Sequence, residues 1–350
     1  MENMKLDKIL KEDFAYIAEH YDFSFLNGKS VFITGATGLL GSQLCKYLLY
    51  INEKNNADVK ILALVRSLEK ARKVFEEDCE NSALKFILGD VLNLPKIEEQ
   101  VDFVIHGASI TASKDFINRA VETIDIAVNG TLNLLRFALS KNVQGFVYLS
   151  SMEAFGITDG KGEVCEKDLG YIDISSPRSS YMESKRMCEN LCACFAAEYG
   201  LNVKSVRLTQ TFGPGISCND TRVAAYFARC VIENQNIVLK TEGKTKRPVL
   251  YTRDALSAIL TVLKNGKKGE CYTAANPETF VTIKETAQMI AEKIANGKIK
   301  VLFDIENPAE YAPNLNLNLN VEKLSSIGWK PSVGLEQAYR RMIEEMRKEK

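Results

Sequence analysis

From residue 30 onward, short and almost wholly apolar runs alternate with longer stretches whose apolar residues recur three and four positions apart. The short runs are VFITGA, VKILALV, LKFILGD, VDFVIHGA and GFVYLSS, spanning 31–36, 59–65, 84–90, 101–108 and 145–151. A strand with no polar face is covered on both sides, which is the situation of parallel strands flanked by helices. The intervening periodicity predicts helices to about Tyr50, through Lys73 and near 116–141. Such alternation predicts an α/β fold of the Rossmann type, a doubly wound parallel sheet.

Past Ser151 the pattern loosens. A polar, glycine-containing loop over 156–180 precedes a predicted helix from about Tyr181 to Tyr199 and a strand, NVKSVRL. Beyond Gly213-Pro214-Gly215 the elements stop alternating, which predicts a smaller C-terminal α/β lobe. The expected organisation is an N-terminal helical arm (1–27), a parallel-sheet domain (28–210) and a second lobe (211–350) that returns one or two elements to the sheet. Leu6, Ile9, Leu10, Phe14 and Ile17 give the arm its helical spacing. The period-two run from Asn314 to Asn320 fits either a short strand with one buried face or a surface linker.

Composition removes several classes of partner. Lys+Arg and Asp+Glu both number 45, so no net field draws the chain to nucleic acid or an anionic membrane. No run approaches the roughly 18 apolar residues of a membrane span, and MENMKLDKILKEDF lacks the apolar core of a secretory leader. With nine cysteines, that points to reduced thiols in the cytoplasm. Cys188, Cys192 and Cys194 share one predicted helix, but their spacing matches no zinc pattern. They read as small residues facing the core, and no metal is expected. His20 and His106 are the two histidines, so a histidine base has few candidates.

Three segments carry chemistry, and their order matters. Thr34-Gly35-Ala36-Thr37-Gly38-Leu39-Leu40-Gly41 follows an apolar strand and opens a helix. In that context Gly35 permits a tight turn, Gly38 lets the backbone approach a pyrophosphate, and Gly41 permits close packing. The helix start offers N–H groups and partial positive charge to phosphates. Expected cofactor contacts are thus Gly35, Thr37, Gly38, Leu39, Leu40 and Gly41, with Arg66, Ser67, Asp90, Val91 and Ala108 after the following strands. Arg66 stands where an acid would bind the ribose of NAD; its guanidinium suits the 2′-phosphate of NADP. Asp90 suits an adenine edge or the start of a turn.

Tyr181 and Lys185 are four apart, so on a helix they share a face. A phenol is a poor base at neutral pH, and a nearby ammonium and a positively charged nicotinamide ring both favour its ionised form, lowering that pKa. Lys185 also suits the nicotinamide ribose. Ser151, ending the fifth strand, is placed to share a proton with a substrate hydroxyl. Glu153, two residues on, would lie on the same side of a continuing strand and act at the neighbouring carbon. Together these residues describe a machine for moving a hydride to and from a carbon that bears a hydroxyl.

These motifs resemble the extended short-chain dehydrogenase/reductase family, the NAD(P)-dependent nucleotide-sugar epimerases and dehydratases. TGATGLLG is similar to its TGxxGxxG turn and His106-Gly107-Ala108-Ser109 to its HxA segment, and the likeness spans about 28–345. SSMEAFG, SPRSSYMESKRMCE and QTFGPGISCNDTRV look closest to UDP-glucuronate decarboxylases, although Met152, Gln210 and Gly215 stand where those have serine, asparagine and arginine. The resemblance implies Ser151, Glu153, Tyr181 and Lys185 as catalytic, with Gln210, Arg222 and Arg247 on a nucleotide-diphosphate sugar. It implies oxidation at C4 to a 4-keto sugar, followed by decarboxylation, 4,6-dehydration or epimerisation. A homodimer formed through two helices of each subunit is also implied. An NADPH-dependent carbonyl reductase and a non-catalytic NAD(P)-binding scaffold are the alternatives.

Overall fold

The computed structural model describes residues 6–158, 162–305 and 315–349. Helix α1 (Lys8–His20) is capped by Asp7, whose carboxylate accepts from Ile9 N at 2.8 Å, and it buries Ile9, Leu10, Phe14 and Ile17. The alternating unit then runs β1 (Ser30–Thr34), α2 (Leu39–Asn55), β2 (Lys60–Val65), α3 (Leu68–Phe75), β3 (Leu84–Leu88) and β4 (Phe103–His106). It continues with α4 (Asp115–Asn118), α5 (Ala120–Ser140), β5 (Gly145–Ser151), β6 (Glu163–Val164), α6 (Ser180–Tyr199) and β7 (Val203–Leu208). The predicted helix near 116–141 is two helices, broken at Arg119.

After β8 (Gln210–Phe212) the order loosens: α7 (Val223–Glu233), β9 (Ile237–Leu239), β10 (Lys246–Tyr251), α8 (Thr252–Asn265), β11 (Cys271–Ala274) and β12 (Asn276–Thr282). The chain ends with α9 (Ile283–Met289), β13 (Val301–Phe303), β14 (Asn318–Leu319), α10 (Glu322–Ser325) and α11 (Leu335–Met346).

Seven strands form one sheet in the order β11-β7-β5-β4-β1-β2-β3, and every pairing in it is parallel. All residues of β1 and β7 are buried, which is why their sequences carry no alternation. The order reverses between β1 and β4, and a doubly wound sheet opens its ligand crevice at that point, beyond the strands' C-terminal ends. The last strand arrives late: α8 packs on β5 and β7, and β11 then extends the sheet beside β7.

The remaining strands build a second layer. β8 and β12 flank β10, parallel and antiparallel respectively, and β9 pairs with β13. A separate core there unites Phe212, Phe227, Tyr251, Ile290, Tyr339 and Met342. Of the leucine–asparagine run, Asn318–Leu319 is a short strand and Asn316 makes a single bridge, with Leu317 and Leu319 buried against Met152, Phe155 and Val164. Asn314 lies outside the described residues.

Candidate active site

At the β1–α2 turn Gly35 has φ +71°, and a Cβ there would meet Gly107 C at 2.7 Å and Ala108 N at 2.9 Å. A Cβ on Gly41 would come within 2.2 Å of Gly35 O. No larger residue fits either position, and the tight curl aims the first amides of α2, at Leu39 and Leu40, over the ends of β1 and β4. Gly38 is the N-cap residue of α2 and is exposed. A glycine turn of this form, opening a helix, suits a pyrophosphate.

His106 is not a catalytic base. Its Nδ1 is 2.7 Å from Thr34 Oγ1 and its Nε2 3.0 Å from Thr131 Oγ1, and burial, with the Lys185 charge adding to it, pushes its pKa down to about 3. It is a neutral tie among β1, β4 and α5. Thr34 Oγ1 also accepts from Ala108 N at 3.2 Å, fixing the second wall of the cradle. Arg66 and Ser67 follow β2, Arg66 exposed and Ser67 capping α3 through Lys70 N. Asp90 starts a turn, its carboxylate accepting from Leu92 N at 2.9 Å, and Val91 is buried against Gly130.

Helix α6 carries Tyr181 and Lys185 under the end of β5. Tyr181 is buried, its ring stacked on Phe116 at 4.3 Å and 7°, with the Ser151 side chain near enough to act on its phenol. Burial pushes that phenol up to about 12; Ser151 pulls it down and the Glu153 charge raises it. The expected lowering of that pKa draws on the charge of a bound nicotinamide ring as well as on the ammonium. Lys185 Nζ donates to Leu149 O at 2.8 Å and lies 5.4 Å from the Tyr181 ring centroid, while desolvation of the phenol dominates.

Lys185 is itself buried, and desolvation lowers its pKa from 10.5 to about 8, against the charges of Cys188 and Glu189. A folded-state pKa below the unfolded one means that the folded protein binds fewer protons between about pH 8 and 10.5. Stability should therefore rise with pH across that window, and below it the charged lysine costs the fold. Lys185→Met should be inactive yet more stable than its parent at pH 7, by on the order of 1 kcal/mol. Urea unfolding at pH 7 and pH 10 would check this, the gap narrowing at the higher pH.

Glu153 does not continue the strand. Residues Met152–Phe155 form a 3-10 turn capped by Ser151, whose Oγ accepts from Glu153 N at 3.2 Å. The alternation argument for Glu153 is thereby overturned, since the turn rather than the pleat aims the carboxylate. Its charge nonetheless acts on both Tyr181 and Arg247. Met152 turns inward, its sulfur accepting from Thr209 Oγ1 at 3.1 Å.

Arg247, on β10, donates to Gln210 Oε1 at 2.5 Å, and burial lowers its pKa while Glu153 opposes the shift. Both residues line a cavity of about 40 Å³ with Phe212, Phe227, Val249 and Tyr339. Arg222, the N-cap residue of α7, is exposed and ion-paired with Asp220 at 2.6 Å, whereas its neighbour Val223 lines the cavity. Gly215 has φ +85°, and a Cβ there would lie 3.2 Å from Gln43 Nε2, so the backbone itself disfavours an arginine.

Sequence reasoning missed Phe116, Tyr339 and Glu189. Phe116 lies under the phenol and Tyr339 reaches the cavity from α11, contacts far apart in sequence that carry no local signal. Glu189 pairs with the buried Arg207 at 2.6 Å and accepts from Ser150 Oγ at 2.5 Å, bracing the strand end that bears Ser151. Its place one turn beyond Lys185 on the same helix face was the available signal. Among the described residues no group of three or more His, Cys, Asp or Glu is gathered as for a metal, and Cys188 and Cys192 are buried beside α5 and β7.

A dinucleotide cradle with a serine, a tyrosine and a lysine converging on its open end defines a Rossmann-fold enzyme of redox chemistry. The chain belongs to the NAD dependent epimerase/dehydratase family, which matches it over residues 31–276. It is 26% identical to UDP-glucuronic acid decarboxylase 1 of Xenopus tropicalis, over 98% of this chain and 79% of that protein. It is 27% identical to dTDP-D-glucose 4,6-dehydratase of Mus musculus, over 91% of this chain and 89% of that one. The fold is shared with DesIV, a dTDP-glucose 4,6-dehydratase of Streptomyces venezuelae solved with NAD bound (TM-score 0.76, 21% identity, 91% of this chain and 97% of that one). No helix among the described residues is long and apolar enough to cross a membrane.

Proposed function

We propose that this protein oxidises C4 of a nucleotide-diphosphate sugar and completes the reaction on the resulting 4-keto sugar. The observation that carries this is the meeting of Ser151, at the end of β5, with Tyr181 and Lys185, whose Nζ donates to Leu149 O of that strand and lies 5.4 Å from the centroid of the phenol ring. Arg247, held by Gln210 on β10, is a cation fit for a diphosphate. The likeness to a decarboxylase and a dehydratase of nucleotide sugars supports the same reading.

Tyr181 accepts the C4 hydroxyl proton, Ser151 holds that oxygen, and Lys185 orients the nicotinamide ribose. The Gly35–Gly41 turn, Asp90, Val91 and Ala108 hold the rest of the dinucleotide, which when bound supplies the hydride acceptor. Arg247 and Gln210 bind the diphosphate, with Arg222 at the rim. The 4-keto group acidifies C5, where Glu153 works. A small-carbonyl reductase would have no use for a half-buried arginine held by Gln210. Incubation with UDP-, dTDP-, CDP- and GDP-sugars, read by mass and by proton NMR, tests the proposal: loss of CO₂ or of water shows in the mass, and a stereochemical change at constant mass shows in the NMR spectrum. No product from any of these sugars would overturn it.

The exposed Arg66 supports NADP as the cofactor. Heat-denatured protein should release mainly NADP(H), and Arg66→Asp should shift binding towards NAD by roughly tenfold or more. Release of NAD(H) alone would contradict this. Nine free cysteines suit a reduced cytoplasm. Exposed Ile117, Val121, Ile124 and Met187 on α4, α5 and α6 suit a homodimer.

A further inference from the structure

The N-terminal helix reaches the substrate lobe through a buried ionic cluster. Asp13, 2% exposed in the middle of α1, accepts from Tyr251 Oη at 2.7 Å, Arg341 Nη2 at 3.0 Å and Arg253 Nη1 at 3.3 Å. Arg341 Nε donates to Tyr251 Oη at 3.0 Å, and Nη2 also donates to Ile9 O at 3.0 Å. One carboxylate thus joins the end of β10, the start of α8 and the middle of α11. Both α1 and α11 lie outside the segment matched by the family, 31–276.

The cluster ties the end of β10 to α11 through Tyr251 and Arg341, and the cavity is lined from the same two elements. Arg247, Val249 and Tyr251 alternate along β10 and so share a face. Arg247 and Val249 line the cavity, whereas Tyr251 enters the cluster. On α11, Leu335 and Tyr339 line the cavity one turn apart, and Arg341 enters the cluster. Tyr339 is buried, packs on Phe212 at 4.7 Å between ring centroids, and feels the charge of Arg247. In a cavity of about 40 Å³ a small movement of α11 changes the whole outline.

We propose that Asp13, Tyr251 and Arg341 are positioning residues that clamp α11 against β10, and that Tyr339, so placed, is a second contact beside Arg247 for the nucleotide diphosphate. The proposal rests on the reading of that cavity as part of the substrate site. Removal of a buried partner leaves charge unpaired, so α11 should shift rather than stay in register. A displacement of roughly 1 Å is enough to weaken a positioned contact severely.

The test uses the full-length, cofactor-loaded protein, with UDP and dTDP as probes in calorimetry. Asp13→Asn and Tyr339→Phe should each weaken the tighter-bound probe by roughly tenfold, and the double variant should be little weaker than Tyr339→Phe alone. Arg341→Lys, which keeps the charge and loses the fork, should fall between Asp13→Asn and the parent. Arg340→Met, on the exposed side of α11, should bind as the parent does. With the sugar substrate in hand, Asp13→Asn should raise KM and leave kcat within about twofold. Fully additive effects, or parental affinity in both Asp13→Asn and Arg341→Lys, would overturn the clamp. If the parent binds neither probe, it is the proposed function that fails. Amide exchange over 335–346 then judges the clamp: faster exchange in Asp13→Asn sustains it and unchanged exchange overturns it.

Discussion

Tyr181→Phe should abolish turnover, with a loss of roughly a hundredfold or more, the usual size for a general base. In the proposed reaction the phenol oxygen takes the C4 proton, and no histidine can replace it: His106 spends both ring nitrogens on threonines, and exposed His20 is bonded to Tyr16 O at 2.9 Å. The fold should survive, because a phenylalanine ring keeps the stack on Phe116 and loses only the phenol oxygen. Cofactor should remain bound, since the glycine turn lies on other elements. Stopped-flow hydride transfer and the cofactor released on heating would check both halves. Activity within threefold of the parent would remove Tyr181 from the mechanism.

Glu153→Gln should divide the reaction in two. A glutamine keeps the shape and removes the charge that raises the Tyr181 phenol, so C4 oxidation should proceed at least as readily, with its pH profile displaced to lower pH. Elimination of water then needs a base at C5, and the variant has lost it. For a dehydratase, a 4-keto sugar and reduced nicotinamide should accumulate, visible near about 340 nm. Decarboxylation asks less of Glu153, because the departing carboxylate leaves its electrons in the enolate of the ketone. Epimerisation at C4 needs no C5 base at all. Normal turnover in the variant would end the elimination reading.

The parallel sheet was legible because burial on both faces wrote itself into β1, β2, β4 and β5 as runs without alternation. Ser151, Tyr181 and Lys185 were legible as an ordered set, and the structure brings them together around the end of β5. Glu153 was named for a wrong geometric reason, since a Ser151-capped turn, invisible to a period-two argument, aims it. The burial of Tyr181 under Phe116, which raises the phenol, was not legible, because it depends on a helix some sixty-five residues earlier. Arg247 and Gln210 could be named one by one, but not their mutual hydrogen bond. The Asp13 cluster joins residues more than 200 positions apart, and an aspartate in an amphipathic helix reads as a solvated face.

The late arrival of β11 has a mechanical consequence. The chain passes between the large sheet and the second layer after β7, at the β10–α8 junction, between β11 and β12, before α10, which packs on β11, and again on the way to α11. With five tethers in parallel, the two layers have no single pivot, so relative motion should be a small sliding shear rather than a wide swing. The same threading makes the sheet indivisible. A polypeptide stopped at residue 210 would lack β11 and leave the fully buried β7 as a bare edge, a template for pairing with another chain. Such a fragment should aggregate rather than persist as a free dinucleotide-binding unit.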